Sequence, residues 1–562
     1  MKFLSDDIMK KLKYLTLALS TLLFTGACEQ ELIETTPAEP DLTNISPDPC
    51  AGSPGSANFT KFIAIGNSLV AGFQAGALFD EGQANSLPAI LNKQFECAGG
   101  ASTFNQPDIN ASLGWNLFVT QPFLSDNTKP ILGRMLLQYG TNVDCTTLQP
   151  AARPTMQAYA PGDLVALPNP VANPGFLYTK SKTELNNFGV GAVTLGQLLT
   201  PATGNWADPD PAKGFNPFYA RFASNPGTSR IISDAAFAGG TFFMFWAGLD
   251  DFFLYAAYGA DPTAAPITSA GLFSAYFNAA LSPTTGLLAT NPNLKGVVGN
   301  FPDIFKMPHF TAVTYNSIPL SATLVTQLNN GFAGYNAALE GLIANKIAFG
   351  ISDALAAEIS TRKAVFTAFC TNKILITDET LTNLGPYFDG LQGAGAINAA
   401  QRAALVPYQR VRQTAVSDII PLSTGSILGT PGTFGVLGVS EPLSDRWVII
   451  PTERDEINAA RAAFNATVSA FVDANSTRLA LADVDAALSN LINSKAAVVN
   501  GVTITPNINP PTGIYSEDGV HPNTRGYAYV SRIFIEAINT KFGATIPLTN
   551  VSKYGATGLP IP

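Results

Sequence analysis

The sequence predicts an α/β protein whose central sheet is parallel and covered by helices. Long apolar runs rich in β-forming residues alternate with helical stretches along the chain. Continuous apolar runs are typical of parallel strands, because helices bury both faces of such a sheet. The predicted strands are 62–65, 241–246, 296–299 and 478–484. The length of 562 residues would allow three domains, but no second low-complexity linker is present, which favours one domain with long insertions.

The first predicted strand ends in a turn that carries a serine. The apolar run 62–65 leads directly into Gly66, Asn67 and Ser68. A buried strand that delivers a serine onto a tight glycine turn is the layout of an activated nucleophile. Because a lone serine is a poor nucleophile, Ser68 requires a base within hydrogen-bond reach.

The chain has two histidines, and His521 is the candidate base. Asp518 precedes it by three residues on a turn that contains glycine and proline. A carboxylate at this spacing can fold back to hold the imidazole Nδ1–H, which leaves Nε2 free as a base. Glu517 could compete for this role, but its spacing favours Asp518. His309 lies in an apolar stretch with no carboxylate close by in the sequence and is predicted to be a packed or loop histidine.

The last predicted element is a helix over 523–542. Apolar residues recur near helical spacing at Tyr527, Val530, Phe534 and Ile538. Gly543 follows as a stop signal. A helix directly after the Asp-x-x-His turn would hold that turn against the sheet.

An early serine on a strand-end turn and a late Asp-x-x-His resemble the SGNH (GDSL-type) hydrolases. The resemblance implies a three-layer α/β/α, flavodoxin-like fold with a parallel central sheet. The insertions at about 100–180 and 305–445 are unmatched, and the second includes an Ala-rich helical stretch around 335–369. Such insertions often form walls or a lid over an active site; the alternative is a thicker shell.

The resemblance also implies an oxyanion hole with three kinds of donor. These are the N–H of the nucleophile Ser68, a glycine N–H in a second block and an asparagine side chain in a third. The second block falls at 187–192, where Gly191 is the better candidate and Gly189 is close behind.

The third block departs from the family pattern. Asp250 stands where the family has asparagine, and Asn67 stands where it has aspartate. An ionised Asp250 cannot donate a hydrogen bond and would repel an oxyanion. It can complete the oxyanion hole only if its surroundings keep it protonated.

The N-terminal residues 1–28 resemble a lipoprotein export signal. Lysines precede an uncharged stretch that ends at Cys28, the expected lipidation site; the alternative is a disordered tail with an incidental cysteine. Residues 29–57 are expected to form a disordered tether, 58–548 the hydrolase domain and 549–562 a C-terminal tail. These features predict an exported protein, anchored by lipid in the envelope of a Gram-negative bacterium, at the outer membrane or cell surface.

Charge and cysteine content exclude several classes of function. The net charge of −9 argues against nucleic-acid binding and against electrostatic docking on anionic lipid, so membrane attachment would come from the lipid anchor. An oxidising compartment favours one or two disulfides among Cys50, Cys97, Cys145 and Cys370, with Cys145 paired to either Cys50 or Cys97 as guesses. The spacing does not fit a zinc site.

The predicted function is that of a serine esterase or acylhydrolase. The resemblance implies cleavage of a small-molecule or glycan-linked carboxylic ester through Ser68, His521, Asp518 and an acyl-enzyme, with no metal or organic cofactor. The alternative is a catalytically impaired SGNH-fold binding lipoprotein of the cell envelope, for example one that binds acylated glycans. Asp250 is the feature that favours this alternative.

Overall fold

The computed structural model describes residues 50–116, 132–143, 150–158, 177–367 and 369–557. The predicted export signal with Cys28, most of the tether and Cys145 lie outside these residues. Cys50, Cys97 and Cys370 each take part in a disulfide bond. In the described part of the chain, no helix is both long enough and apolar enough to span a bilayer.

The strands of the described residues are numbered in chain order. They are β1 Phe62–Gly66, β2 Ala77–Leu78, β3 Trp115–Asn116, β4 Leu132–Val143, β5 Pro150–Ala158, β6 Asn187–Gly189, β7 Phe242–Trp246, β8 Lys295–Gly299, β9 Leu375–Thr377, β10 Val411–Gln413, β11 Leu479–Ala482, β12 Ala497–Val499 and β13 Val502–Ile504. Five of them form a central sheet in the order β11–β8–β7–β1–β6, with every neighbouring pair parallel. The predicted α/β class with a parallel central sheet is therefore confirmed.

The α-helices are numbered in the same way. They are α1 Ser68–Ala71, α2 Asp80–Ala84, α3 Leu87–Glu96, α4 Leu195–Leu198, α5 Pro217–Ala220, α6 Ile231–Phe237, α7 Asp250–Ala257, α8 Ala270–Leu281, α9 Pro308–Thr311, α10 Ala322–Ala344, α11 Asp353–Ser360, α12 Gly385–Gly393, α13 Ala399–Ala404, α14 Pro451–Ala474, α15 Val484–Ser494 and α16 Thr524–Phe542.

Helices pack on both faces of the sheet. Successive side chains of a strand point to opposite faces, so Phe242 and Phe245 of β7 report on the two sides. The ring of Phe242 contacts Phe95 of α3 and Phe542 of α16, with ring centroids 5.8 and 5.9 Å apart. The ring of Phe245 contacts Phe277 of α8 at 5.6 Å. Helices therefore cover both faces of β7, which is why this strand is apolar throughout.

The four strands predicted from apolar runs are present as β1, β7, β8 and β11, with bounds shifted by one or two residues. The closing helix is α16. Strand β6 was not predicted as a strand, since it is short and begins with Asn187. The Ala-rich helical stretch predicted around 335–369 contains the end of α10 and all of α11. Helix α10 begins earlier than that stretch, and Asn345, whose side chain donates to Gly341 O at 2.9 Å, ends it.

The long insertion after β8 has a hydrophobic core of its own, whose members run from Ile318 to Ile450. The antiparallel ribbon β9–β10 contributes Leu375, Ile376 and Val411 to this core. Arg412 of β10 lies between two carboxylates, 2.6 Å from Asp378 and 2.6 Å from Asp418. The insertion is therefore a subdomain rather than a loose loop.

The packed chain also extends past the predicted domain bounds of 58–548. Ala57 is buried at one end, and Thr549 and Val551 are buried at the other. The Thr549 hydroxyl lies 2.6 Å from that of Ser531 in α16, which ties the residues after 548 to the last helix.

The order of the strands reverses at β1, which marks the carboxyl edge of the sheet as the expected position of a ligand site. Strand β1 has β6 on one side and β7 on the other, so the chain changes direction across the sheet at β1. In open parallel sheets, a crevice for ligands opens at the carboxyl ends of the strands at such a point. Ser68 follows β1, Gly191 follows β6 and Asp250 follows β7, all at this edge.

Gly66 leaves no room for a side chain where β1 meets this edge. A Cβ at this position would collide with the main-chain oxygen of Trp246 and the side chain of Val70. We expect Gly66→Ala to lower the free energy of unfolding by about 1–3 kcal/mol, measured by urea denaturation, because overpacking forces the strand to move. Gly334→Ala is the control: nothing lies within 4 Å of a Cβ there, on α10, so stability should rise by about 0.5–1 kcal/mol. Equal stability of the two variants would contradict this account.

Candidate active site

The nucleophile turn is built by the end of β1 and the one-turn helix α1. Asn67 caps that helix, and its Oδ1 accepts the N–H of Leu69 at 3.1 Å. Gly72, in the left-handed region at φ 93°, ends the helix after four residues. Ser68 is thereby held as the first residue of α1, with 4% of its surface exposed.

The base turn is organised around the carboxylate of Asp518. Its Oδ2 lies 2.7 Å from Nδ1 of His521, and its Oδ1 accepts the N–H groups of Val520 and His521, each at 2.8 Å. Burial alone would raise the pKa of Asp518, but the charge and hydrogen bond of His521 and the two N–H groups lower it to about 2. Because an ionised carboxylate only accepts, Nδ1 of His521 carries a proton, which leaves Nε2 as the nitrogen that can act as a base.

Two main-chain N–H groups join the loop after α1, residues 72–76 and here called the nucleophile loop, to the base turn. Gly76 donates to Oδ2 of Asp518, and Ala75 donates to Oγ of Ser516 at 2.8 Å. These contacts link segments more than 440 residues apart in the chain. They place the loop after Ser68 directly against the turn that carries His521.

Aromatic side chains close the same junction. The ring of Phe73 stacks on the imidazole of His521 with 5.8 Å between centroids, and Phe218 packs edge-on against Phe73 at 5.1 Å. The hydroxyl of Tyr527 in α16 donates to the main-chain oxygen of Phe73 at 2.7 Å. Helix α16 thus holds both the base turn and the nucleophile loop.

The hydrogen bond from Ser68 Oγ to His521 Nε2 is not formed in this structure. Nε2 of His521 is fully buried and has no hydrogen-bond partner among the described residues. In enzymes without bound substrate, catalytic hydrogen bonds are often long and shorten only in the complex. The geometry provides an oriented base beside the serine turn, with both Ser68 and His521 buried.

The two candidate glycines of the oxyanion hole differ in their hydrogen bonds. Gly189 donates its N–H to Oδ1 of Asn187 at 2.9 Å, so that donor is occupied. The N–H of Gly191 has no acceptor among the described residues. Its carbonyl is held by the side-chain amide of Asn216 at 2.8 Å. Of the two glycines, Gly191 therefore has the donor that remains free for an oxyanion.

Asp250 forms a buried hydrogen bond with Asn67. Nδ2 of Asn67 lies 2.7 Å from Oδ2 of Asp250, and both side chains are almost fully buried. Oδ1 of Asn67 accepts from Leu69, which fixes the orientation of the amide and makes Asn67 the donor. Burial raises the pKa of Asp250 to about 6, although the hydrogen bond from Asn67 and the charge of His521 oppose the rise.

The two departures from the family pattern are therefore the two ends of one hydrogen bond. The expected arrangement has the acceptor at position 67 and the amide donor at 250; this chain has Asn67 as donor and Asp250 as acceptor. Sequence reasoning noted each substitution separately and missed their pairing. The titrating group of this pair is therefore at position 250 rather than at position 67.

The remaining candidates take other positions. Glu517 makes no hydrogen bond to His521 in the described structure; burial raises its pKa to about 7, and Asp518 adds to the rise while Arg134 opposes it. His309 is packed, but against the base turn: its Nδ1 lies 3.0 Å from the main-chain oxygen of Asp518. Nothing in the local sequence around His309 indicates this contact.

One group of acidic residues in the described structure has the spacing of metal ligands. The carboxylates of Glu379, Asp445 and Glu453 lie within 4.8 Å of one another. Burial raises the pKa of Glu453 to about 8 and that of Asp445 to about 6. The neighbouring carboxylates add to the rise in both pKa values, and the three residues take no part in the contacts that join Ser68 to His521.

Comparison with known proteins adds no relative to this description. No protein-family model, no curated protein and no solved structure matches the chain.

Proposed function

We propose that this protein is a serine esterase or acylhydrolase of the SGNH type, with the three-layer flavodoxin-like fold of that family. The observation that carries the proposal is the 2.7 Å hydrogen bond between Asp518 and His521, formed beside the serine turn at the carboxyl edge of a parallel sheet. The reversal of strand order at β1 and the helices on both faces support the fold. The substrate class is a carboxylic ester on a small molecule or a glycan.

The first half of the reaction acylates the serine. Nε2 of His521 takes the proton from Ser68 Oγ as Oγ attacks the ester carbonyl. The carboxylate of Asp518 stabilises the imidazolium that forms. The N–H groups of Ser68 and Gly191 donate to the oxygen on which negative charge develops. The C–O bond then breaks, and the leaving alkoxide takes the proton from Nε2.

The second half releases the acid. Water gives a proton to Nε2 of His521 as its oxygen attacks the acyl-enzyme, and Ser68 leaves with that proton restored. Every proton transfer uses the same nitrogen, so His521 must keep one orientation through both halves of the reaction. No metal or organic cofactor enters these steps.

Asp250 is the third donor of the oxyanion hole in its neutral form. Its Oδ2 accepts from Asn67, so the proton of a neutral Asp250 resides on Oδ1, where it can be donated. The ionised form has no proton to donate and repels the oxyanion. Activity is thus tied to the protonation of a group whose pKa burial raises to about 6.

The alternative is a binding lipoprotein that retained the fold and lost the chemistry. The closed geometry favours it, because Ser68 and His521 are both at least 96% buried. In either case Cys28 is the proposed lipid attachment site that holds the protein at the cell envelope. Reactivity of Ser68 separates the two functions.

We expect purified protein to form one covalent adduct with a fluorophosphonate, detected by intact mass. Ser68→Ala removes the nucleophile and His521→Ala removes the base, so both variants should lack the adduct. Ser181→Ala, at an exposed serine, is the control and should react like the unmodified protein. A folded wild-type protein that gives no adduct would overturn the esterase and favour the binding lipoprotein.

The two neighbouring carboxylates should differ in their effect on turnover. Asp518→Asn should lower kcat by about 10³–10⁴, because an amide at this position no longer fixes the Nδ1–H tautomer of His521 or stabilises its charge. Glu517→Gln is the matched control and should leave kcat within about twofold. Steady-state kinetics on a short-chain ester measure both values. An equal loss of kcat in the two variants would contradict the assignment of Asp518 as the carboxylate that orients His521.

Relative to the rate of Asp250→Asn, the wild-type rate should fall as pH rises through about 6, the raised pKa of Asp250. The group is neutral below this pH and ionised above it, so the donor is lost on the alkaline side. Asp250→Asn supplies an amide donor that does not titrate, and at pH 8 it should exceed the wild-type rate by about tenfold or more. Profiles of kcat against pH measure this.

The exchange of both ends of the hydrogen bond is the control for this profile. Asn67→Asp alone places two carboxyl groups across a 2.7 Å contact and should impair the enzyme. Combined with Asp250→Asn, it restores a donor and an acceptor and should recover activity. Superimposable pH profiles for the wild type and Asp250→Asn would eliminate Asp250 as the titrating donor.

A further inference from the structure

His309 and His521 are the two histidines of the chain, and both lie against the same turn. His309 is 5% exposed, and its Nδ1 lies 3.0 Å from the main-chain oxygen of Asp518. A carbonyl oxygen only accepts hydrogen bonds, so Nδ1 is the protonated nitrogen of His309. The ring therefore donates to the peptide group of the residue that orients His521.

The main chain of His309 makes a second contact with this turn. Its N–H donates to the oxygen of Gly519 at 3.0 Å. Gly519 has φ 71°, and a Cβ there would lie 2.6 Å from the nitrogen of His309, so the two segments are in close contact. Consecutive carbonyl groups of the turn, those of Asp518 and Gly519, are thus both held by residue 309.

The imidazole of His309 is less favourable for the stability of the fold than an apolar side chain would be at this position. Its Nε2 is fully buried and has no partner among the described residues. Phe253 and Phe310 lie around the ring, with centroids 6.3 and 4.9 Å away, so the surroundings suit an apolar side chain. Burial lowers the pKa of His309, which keeps the ring neutral and excludes an ion pair as its reason for being there. An unsatisfied buried nitrogen destabilises the fold.

We propose that His309 is a positioning residue for the ester hydrolysis proposed above. Its Nδ1–H fixes the peptide group of Asp518 from one side, while Gly76 and His521 hold the carboxylate from the other. The direction of the carboxylate, and through it the direction of Nε2 of His521, depends on this peptide group. The inference rests on the proposed function, because it assigns His309 a role in orienting the base of that reaction.

Two variants separate the hydrogen bond from the volume of the ring. In His309→Asn, the amide Nδ2 can occupy the place of Nδ1 and donate to Asp518. His309→Leu has similar bulk and no donor. Both variants keep the main-chain N–H that binds Gly519, so they test the side chain alone. They are measured as the complete chain, by ester kinetics and by melting temperature.

His309→Leu should lower kcat about tenfold or more with little change in KM, because a small misorientation of a catalytic base has a large effect on rate. Its melting temperature should stay within about 3 °C of the wild type, since the loss of one hydrogen bond is offset by removal of the unpaired nitrogen. His309→Asn should recover most of kcat. Wild-type kcat in the leucine variant, or an asparagine variant no better than leucine, would overturn the proposal.

If His309→Leu does not fold, His309→Gln takes its place. The glutamine amide reaches the position of Nε2 rather than that of Nδ1, so it should behave as the leucine variant does. A glutamine variant that equals asparagine in kcat would overturn the proposal.

A spectroscopic measurement keeps this test separate from the proposed function. Selective ¹⁵N labelling of histidine gives signals from two imidazoles, and from His521 alone in each variant. The Nδ1–H signal of His521 should persist in His309→Asn and broaden through solvent exchange in His309→Leu, whether or not the protein hydrolyses esters. An unchanged signal in both variants would refute the positioning role. An inactive wild type that shows the expected signals would refute only the esterase.

Discussion

The candidate site depends on the hydrogen bonds that the buried carboxylate of Asp518 accepts. A buried charge is strongly unfavourable unless hydrogen bonds compensate it. Here the donors are the imidazole of His521, the hydroxyl of Ser516 and the main-chain N–H groups of Gly76, Val520 and His521. Main-chain donors cannot change rotamer, so the carboxylate has a single arrangement that satisfies all of them. The orientation of the imidazole is in this way set by the backbone of two distant segments.

The two aspartates of the site illustrate how a nearby charge and the number of donors together decide the state of a buried carboxyl group. Both are almost fully buried, which by itself favours the neutral acid. Asp518 receives several N–H groups beside the partner imidazole, and its pKa falls to about 2. Asp250 receives one amide from a neighbouring residue, and its pKa rises to about 6. One group orients a base as an anion, and the other suits a role as a neutral donor.

The central strands β1, β7, β8 and β11 could be predicted because, apart from Lys295, burial on both faces restricts their residues to apolar side chains and glycine. Strand β6 could not be predicted in this way. Its first residue, Asn187, is buried with its side-chain amide donating to the main-chain oxygen of Val70 at 3.0 Å. A polar side chain that is satisfied inside the fold looks the same in sequence as one in a loop.

The contacts within the site likewise fall into two classes, those that the sequence predicts and those that it does not. Asp518 and His521 lie in one turn, so their spacing in sequence predicts their distance in space. Asn67 and Asp250 are 183 residues apart, and His309 is 209 residues from the carbonyl it binds. A single sequence carries no local pattern for partners at such separations. Composition and spacing do not predict these contacts, because they are determined by how the segments pack at the edge of the sheet.

The distance between the two halves of the site along the chain has a consequence for biosynthesis. The main-chain N–H of Gly76 and the carboxylate of Asp518 that it binds are separated by 442 residues. Contacts of such long range form only after the intervening chain is made, and domains fold as units once their segments are available. A ribosome therefore carries the serine turn through most of translation with no base to activate it. Under the proposed function, reactivity would arise only when the turn 518–521 and the helix α16 that follows it pack against the rest of the fold, at the end of folding rather than during it.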